Sequence, residues 1–346
     1  MLSEAPVHRI LIVSDAWLPQ VNGVVRTLST VAGELRAMGH VVEVVGPDRF
    51  RTVPCPTYPD ISLSILPARR LVRMILAFRP DALHIATEGP LGLAARTWAR
   101  RTGFRFTTAF HTRFPEYVQA RIGFPVRPIY AWMRGFHGAA AGTMVATESL
   151  REELTGRGFR NIRAWSRGVD LDLFKPAASA KRQDWGLPRP IFLYVGRVAI
   201  EKNIRAFLDL DLPGSKVVVG GGPQLASLKR GYPNVHFDGP LDGEALARAY
   251  AGGDVFMFPS LTDTFGLVIL EALACGTPVA AFPVTGPKDV LLVADEKVGC
   301  VDVDLRHAAI EALGASRAAC RRHAERYSWK ACAETFLSHL VPINGS

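Results

Sequence analysis

The sequence predicts an α/β protein built from two doubly wound parallel sheets in series. Three observations predict it. Short apolar runs such as RILIVS, IFLYV and VFMF alternate with longer stretches of helical period, the order of strand–helix–strand crossover units. These runs are apolar on both faces, as strands covered by helices above and below are. The pattern halts near Ala164 and restarts at Ile191, across a segment rich in Pro, Asp and Gly that reads as an interdomain connection. With 346 residues, 48% of them apolar, the chain is long enough for two such domains.

In the first half, residues Arg9–Ser14 form a buried strand and Asp15–Gly23 a loop with Pro19, Asn22 and Gly23. A helix follows from about Val24 to Met38, closed by Gly39, and then a strand at Val41–Val45. A right-handed crossover of this kind sets ligands at the C-terminal ends of the strands, so the Asp15–Gly23 loop lines a site. It carries no GxGxxG. Shorter strands are expected at Leu63–Leu66, Ala82–Ala86, Arg105–Phe110 and Thr143–Ala146. Helices fall near Arg70–Ala77, Leu91–Arg101, Pro115–Ala120, Val126–Phe136 and Glu148–Gly156.

The second half repeats the architecture without repeating the sequence. Strands are expected at Ile191–Val195, Lys216–Val219, Val235–Phe237, Val255–Phe258, Pro278–Ala281 and Cys300–Val301. Amphipathic helices close the chain near Leu305–Arg326 and Trp329–Leu340. The domains are therefore placed at 1–168 and 169–326, with a last helix, 327–346, returning to the first. Two such domains in series create a cleft between facing loops, a common place for a small-molecule site.

The formal net charge is +9, which favours an anionic partner: a nucleotide, a nucleic acid or an acidic membrane surface. Charge spread over solvated faces is the competing account. Cys55, Cys275, Cys300, Cys320 and Cys332 are scattered, with no zinc spacing and no CxxC, as for reduced thiols. No apolar run is long enough to span a bilayer, and the N-terminus lacks a leader pattern, so a cytoplasmic protein is expected. The pairs Asp209/Asp211 and Asp302/Asp304 read as turn chemistry, and no metal site is expected.

Several constellations carry chemistry. The stretch from Phe256 to Pro287 runs strand, loop, helix, strand, with the helical run at Phe265–Cys275 and carboxylates at Asp263 and Glu271. The helix start at Thr264–Leu267 offers backbone N–H groups of the kind that hold phosphates. Glu271 lies among apolar neighbours; the alternative is that it points at solvent. Gly196-Arg197 and Glu201-Lys202-Asn203 follow a strand, and two cations beside helix N–H groups suit a diphosphate; solvated charges at a strand end are the alternative. Gly220, Gly221 and Gly222 either admit a ligand close to the backbone or make a tight turn. His111 ends a strand before a polar loop, His84 and Glu88 end another, and Glu88 is also explained as a first-turn carboxylate. Arg69, Arg70, Arg73 and Arg79 interleave with apolar residues, which describes either a helix lying on an anionic membrane or one packed on its sheet with a basic outer face. Arg113, Arg121, Arg127 and Arg134 add to the basic excess of this half.

Together these residues resemble the retaining glycosyltransferases of family 4, which have the two-domain GT-B fold. VGRVAIEKN, GGGP, the PSLTDTFGLVILEALACGTPVAAFPVTGP block and RGVD carry the likeness, with PQVNGVVRT and FHTRFPEYV in the first domain. It spans nearly the whole chain and is nearest the branch of sulfoquinovosyl- and glycosyl-diacylglycerol synthases and lipid mannosyltransferases. The resemblance implies an acceptor-binding first domain and a nucleotide-sugar-binding second domain. It implies that Arg197 and Lys202 bind the diphosphate and that Glu271 holds the ribose. Thr264, Phe265, Gly266 and Leu267 would meet phosphate or sugar through their backbone. Gly221 and Gly23 would approach the donor, and His111 the reacting sugar. Asn22, Arg69, Arg70, Arg73 and Arg113 fall on the acceptor and membrane side.

Asp263 stands where the family has the first Glu of Glu-x7-Glu, one methylene shorter in reach to the donor sugar. The segment after VGR is also short for the family. The implied reaction moves a hexose or hexuronic acid from a UDP-sugar to a lipid such as diacylglycerol, with no cofactor and no metal. A GDP-mannose-dependent mannosyltransferase is the alternative. A non-catalytic binder of nucleotide sugars or nucleic acid is the alternative from another class. Nucleic acid fits poorly, since the Arg-rich stretches offer few aromatic stacking platforms. A peripheral position on the inner face of the cytoplasmic membrane follows from the lipid acceptor.

Overall fold

The computed structural model describes residues 7–20, 22–55, 58–177 and 182–341. The chain divides into two compact units: one runs to Ser166 and takes up the segment from Trp329 onward, the other is Arg167–Ser328.

In the first unit β1 (Arg9–Val13) leads through α1 (Gly23–Ala37) to β2 (Val41–Val45). The Asn22 side chain caps α1, accepting from Val24 N and Val25 N at 3.0 Å each. Gly39, at φ +93°, ends the helix where a side chain is disfavoured. Val25, Leu28, Val31 and Leu35 recur at helical spacing and are buried. Next come β3 (Thr52–Cys55), β4 (Tyr58–Ser64) and α2 (Ala68–Phe78). The run continues with β5 (Ala82–Ile85), α3 (Pro90–Thr102), β6 (Phe106–Phe110), α4 (Phe114–Ile122) and α5 (Val126–His137). It ends with β7 (Gly142–Val145), α6 (Glu148–Gly156) and β8 (Ile162–Ala164). The main sheet is parallel, in the order β2-β1-β5-β6-β7-β8.

The second unit contains β9 (Ile191–Val195), α7 (Arg205–Leu208), β10 (Ser215–Val219), α8 (Leu225–Gly231) and β11 (His236–Gly239). It continues with α9 (Gly243–Gly252), β12 (Val255–Phe258), α10 (Leu267–Ala274), β13 (Val279–Ala281) and α11 (Thr285–Leu291). β14 (Gly299–Val301), α12 (Leu305–Ala312) and α13 (Arg317–Ala324) follow. Its sheet is parallel in the order β11-β10-β9-β12-β13-β14. The last helix, α14 (Trp329–His339), packs in the first unit, where Phe336 meets the rings of Trp165 and His84 at 5.0 and 4.9 Å. Two doubly wound, Rossmann-like sheets are thus present, as the apolar runs predict.

The structure corrects four local expectations. Residues Leu63–Leu66 do not enter the main sheet: β4 pairs antiparallel with β3, whose side chains are mostly exposed and whose Pro54 cannot serve a central ladder. β8 is an extra edge strand, too short and too polar to read from its residues. The expected helix Leu305–Arg326 is two helices, because Gly314–Ser316 breaks it and the Ser316 hydroxyl caps α13 by accepting from Ala319 N at 3.3 Å. The helical run expected from Phe265 begins only at Leu267, since Gly266 sits at φ +85° and ψ 78°, outside the helical region.

Candidate active site

Each sheet has one point where successive connections diverge, and parallel sheets bind ligands there, beyond the strand C-termini. In the second unit that point lies between β9 and β12, flanked by the loops 196–203 and 259–266. Hydrogen bonds tie these loops. Lys202 Nζ donates to Asp263 Oδ1 at 2.6 Å, Asn203 Nδ2 to the Pro259 carbonyl at 3.1 Å, and the Thr262 hydroxyl to the Glu201 carbonyl at 3.3 Å. Lys202 and Asp263, separate motifs in the sequence, therefore form one ion pair. Asp263 Oδ2 is buried and takes no hydrogen bond from a described residue. An unpaired buried carboxylate oxygen costs about 1–3 kcal/mol, which a ligand hydroxyl would offset.

Arg197 is half-buried on the same loop. Its carbonyl accepts from the Tyr194 hydroxyl at 2.8 Å. Burial, reinforced by the charges of Asp263 and Glu201, raises that phenol well above the ordinary tyrosine range, so it stays a donor. Sequence reasoning missed Tyr194; the one polar tip in IFLYV, two residues before Gly196, is the signal for it. The helix expected after this loop is reduced to a 3-10 turn, Ile200–Lys202, and the four residues of α7. Little helix dipole is available there, so Arg197 and Lys202 are the positive groups of the loop.

The glycines divide by role. A Cβ on Gly220 would overlap the Gly196 carbonyl, and one on Gly222, at φ +153°, would lie 2.5 Å from the Val198 carbonyl oxygen. Both are needed for loop-on-loop packing, which Val198 N seals by donating to the Gly221 carbonyl at 2.9 Å. Gly221 differs: a Cβ there meets nothing closer than Pro240 at 4.0 Å. The chain's own packing does not require glycine at that position.

Thr264 is half-buried, Phe265 is buried, and Gly266 and Leu267 are half-buried at the start of α10. A Cβ on Gly266 would approach the Phe258 ring to 2.9 Å. Glu271 does not point at solvent. It is 3% exposed, and the fully buried Tyr250 donates its hydroxyl to Oε2 at 2.8 Å. Tyr250 is a second residue that sequence reasoning missed, because it belongs to α9, 21 positions away.

In the first unit His111 follows β6 and is half-buried, its ring 5.8 Å from that of the buried Trp165, edge to face. His84 is wholly buried, its Nδ1 2.9 Å from the Thr107 hydroxyl, and belongs to the core. Gly23 opens α1, and the Asn22 side chain is committed to capping it. Arg113 faces inward onto Glu153 at 2.6 Å. Burial lowers its pKa, but Glu153, Tyr130 and Glu116 outweigh that, so it stays charged within this cluster. Arg69, Arg70 and Arg73 are exposed on α2, with Leu66 and Leu76 beside them in sequence also exposed. The side chain of Arg121 lies outside the described residues. Asp302 and Asp304 do turn chemistry: Asp304 Oδ1 caps α12, accepting from Arg306 N at 2.9 Å.

Comparison with known proteins matches residues 21–173 to the family model Glycosyltransferase Family 4 and residues 189–313 to Glycosyl transferases group 1. The chain is 32% identical to a GDP-mannose-dependent alpha-mannosyltransferase of Mycobacterium tuberculosis, covering 97% of each. It is 28% identical to an alpha-monoglucosyldiacylglycerol synthase of Streptococcus pneumoniae, covering 88% of this chain and 78% of that one. Its fold is shared with the solved sucrose-phosphate synthase of Thermosynechococcus elongatus at a TM-score of 0.71 and 20% identity, over 95% and 97% of the two chains. With two Rossmann-like units, the GT-B architecture, and relatives of this identity along its whole length, the chain belongs to glycosyltransferase family 4 and resembles that family's glycolipid-synthesising branch.

Proposed function

We propose that the chain transfers a hexosyl group from a nucleotide-diphosphate sugar to a lipid acceptor, retaining the anomeric configuration and drawing its positive charge from side chains rather than a metal. The observation that carries this reading is the Lys202–Asp263 pair at the switch point of the second unit, with Arg197 on the same loop. The bond from the anomeric carbon to the diphosphate breaks and the bond to the acceptor oxygen forms. The acceptor's proton passes to the departing phosphate oxygen on the same face. Negative charge grows on that phosphate, and Arg197, Lys202 and the start of α10 meet it; one such donor contributes about 3–4 kcal/mol. Asp263 Oδ2 receives a sugar hydroxyl, Glu271 the ribose, and His111 sits near the reacting sugar. Gly221 lets the donor approach the backbone.

The lipid acceptor is supported by the name of the diacylglycerol-directed relative, and GDP-mannose as donor by the name of the mannosyltransferase at 32% identity. A UDP-sugar rests on the resemblance to the glycolipid branch and is the second reading. Among the described residues no helix is long and apolar enough to cross a membrane. Contact with an anionic bilayer is supported by the exposed Arg69, Arg70 and Arg73 and by Leu66, which is 91% exposed at φ +44° just before α2. The test is incubation with a panel of UDP- and GDP-sugars and a total lipid extract, followed by mass spectrometry. A lipid heavier by one hexose or hexuronic acid residue identifies donor and acceptor; no product with any donor refutes the reading.

A further inference from the structure

The switch point of the first unit lies between β1 and β5, in the same topological place as the Lys202–Asp263 pair in the second. Its flanking loops are residues 14–20 and 86–89. They are locked together by Asp15, whose backbone N–H donates to the Thr87 hydroxyl at 2.6 Å while Thr87 donates to Asp15 Oδ2 at 2.9 Å. The Asp15 carboxylate also accepts from Leu91 N and Gly92 N, at 2.8 and 3.1 Å. A Cβ on Gly89 would lie 2.5 Å from that carboxyl carbon.

Asp15 therefore caps α3, and Glu88 is not needed for it. No acidic residue lies in the first turn of α3. Instead Glu88 Oε1 meets His137 Nε2 at 3.0 Å. The His137 side chain is 1% exposed and is held from its other side, with Nδ1 2.9 Å from the Thr108 hydroxyl, itself 3.1 Å from that of Thr143. Oε2 takes no hydrogen bond from a described residue, and the Glu88 side chain is 19% exposed. A buried chain of three polar residues thus fixes one oxygen of a carboxylate whose other oxygen is available at the ligand-binding edge of the sheet. The two loops carry no Lys or Arg. The locality disfavours a phosphate and suits a neutral hydroxyl.

We propose that Glu88 is an acceptor-binding residue: its Oε2 accepts a hydrogen bond from a hydroxyl of the acceptor's neutral polyol part, and His137 is the positioning residue that aims it. This rests on the glycosyl-transfer reading above.

The experiment uses the full chain with the donor and lipid extract that yield product in the wild type. In Glu88→Ala, kcat/KM for the lipid falls about 10–100-fold, the range for losing one hydrogen bond to a charged group. Donor affinity, measured by calorimetry without lipid, holds. Glu88→Gln, which keeps the shape, gives a smaller loss of the same kind and guards against misfolding. His137→Gln raises the acceptor KM in the wild type but adds nothing in a Glu88→Ala background. A purely structural His137 would cost the same in both. An acceptor kcat/KM within threefold of wild type in folded Glu88→Ala overturns the proposal, and so does a parallel loss of donor affinity. If the wild type makes no product with any donor, it is the glycosyl-transfer reading that fails first.

Discussion

Replacing Lys202 by Met separates two jobs of one ammonium group, the ion pair that the structure shows and the leaving-group contact proposed above. In the resting protein Lys202 neutralises Asp263 at 2.6 Å, with the two side chains 26% and 16% exposed. Losing the cation of a fully buried pair costs about 3–5 kcal/mol, and of an exposed pair about 0–1. For this partly buried pair about 1–3 kcal/mol of stability is expected to go, read as a lower urea midpoint. On the proposed mechanism Lys202 also faces the departing phosphate, where one lost donor costs about 3–4 kcal/mol, a hundred- to thousandfold in kcat. The two effects part company in Lys202→Met/Asp263→Asn. An uncharged Asn needs no counter-ion, so the double variant recovers most of the stability while kcat stays down. Steady-state kinetics beside urea unfolding of the four proteins completes the cycle. Recovery of kcat in the double variant would mean that Lys202 serves only as counter-ion to Asp263, and the assignment to the leaving group would be wrong.

Three further outcomes are expected. Tyr250→Phe removes the 2.8 Å bond to the buried Glu271, lowering stability by about 1–3 kcal/mol and weakening the free nucleoside diphosphate in calorimetry; unchanged nucleotide affinity would detach Glu271 from the ribose. Gly221→Ala and Gly222→Ala should differ in kind: a Cβ at Gly222 meets the Val198 carbonyl at 2.5 Å and lowers the melting temperature, whereas at Gly221 the nearest atom is 4.0 Å away, so only donor affinity falls. A melting temperature equally lowered in both would count against that division. Burial raises the pKa of Glu153, but the hydrogen bond and charge of Arg113, then Arg157, outweigh it and hold the carboxyl below the ordinary glutamate range. A depressed folded pKa gives stability that is full above the unfolded value of about 4.3 and is lost as pH falls through the folded one. The urea midpoint should therefore drop on acidification through that window, and less steeply in Glu153→Gln.

What could be read from the residues follows a physical line. Strands such as IFLYV and VFMF are buried on both faces, so composition alone marks them, and their alternation with helices forces parallel pairing. β3 and β4 escape this logic because they lie outside the main sheet and their signal is that of a loop. In the site, the residue types at Arg197, Lys202, Asp263 and Glu271 were legible from motif and spacing. Their partners were not. Lys202 meets Asp263 across 61 positions and Glu271 meets Tyr250 across 21, and no local period encodes such a distance. His84 shows the opposite failure. Its place at a strand end suggested a site, yet it is enclosed by Trp165 and Phe336, on a helix that joins the first unit from the far end of the chain.

The two switch points are furnished differently, cations balanced by carboxylates in one unit and carboxylates without Lys or Arg in the other, and that contrast favours the division of labour proposed above. At the switch point of the second unit, loops 196–203 and 259–266 hold Arg197 and Lys202 against Glu201 and Asp263, with Asp263 already paired. On the proposed reading Arg197 and Lys202 are the groups that meet a diphosphate there. At the switch point of the first unit, the corresponding loops hold Asp15 and Glu88 with no Lys or Arg. Asp15 is used up on the N–H groups of α3, and Glu88, the other charged side chain of these loops, is an unfavourable neighbour for a phosphate. The net charge of +9 is therefore not a uniform attraction for anions. On the proposed reading Arg197 and Lys202 serve the anionic donor, and Glu88 takes a neutral group that can donate a hydrogen bond, which is the chemistry of an acceptor hydroxyl.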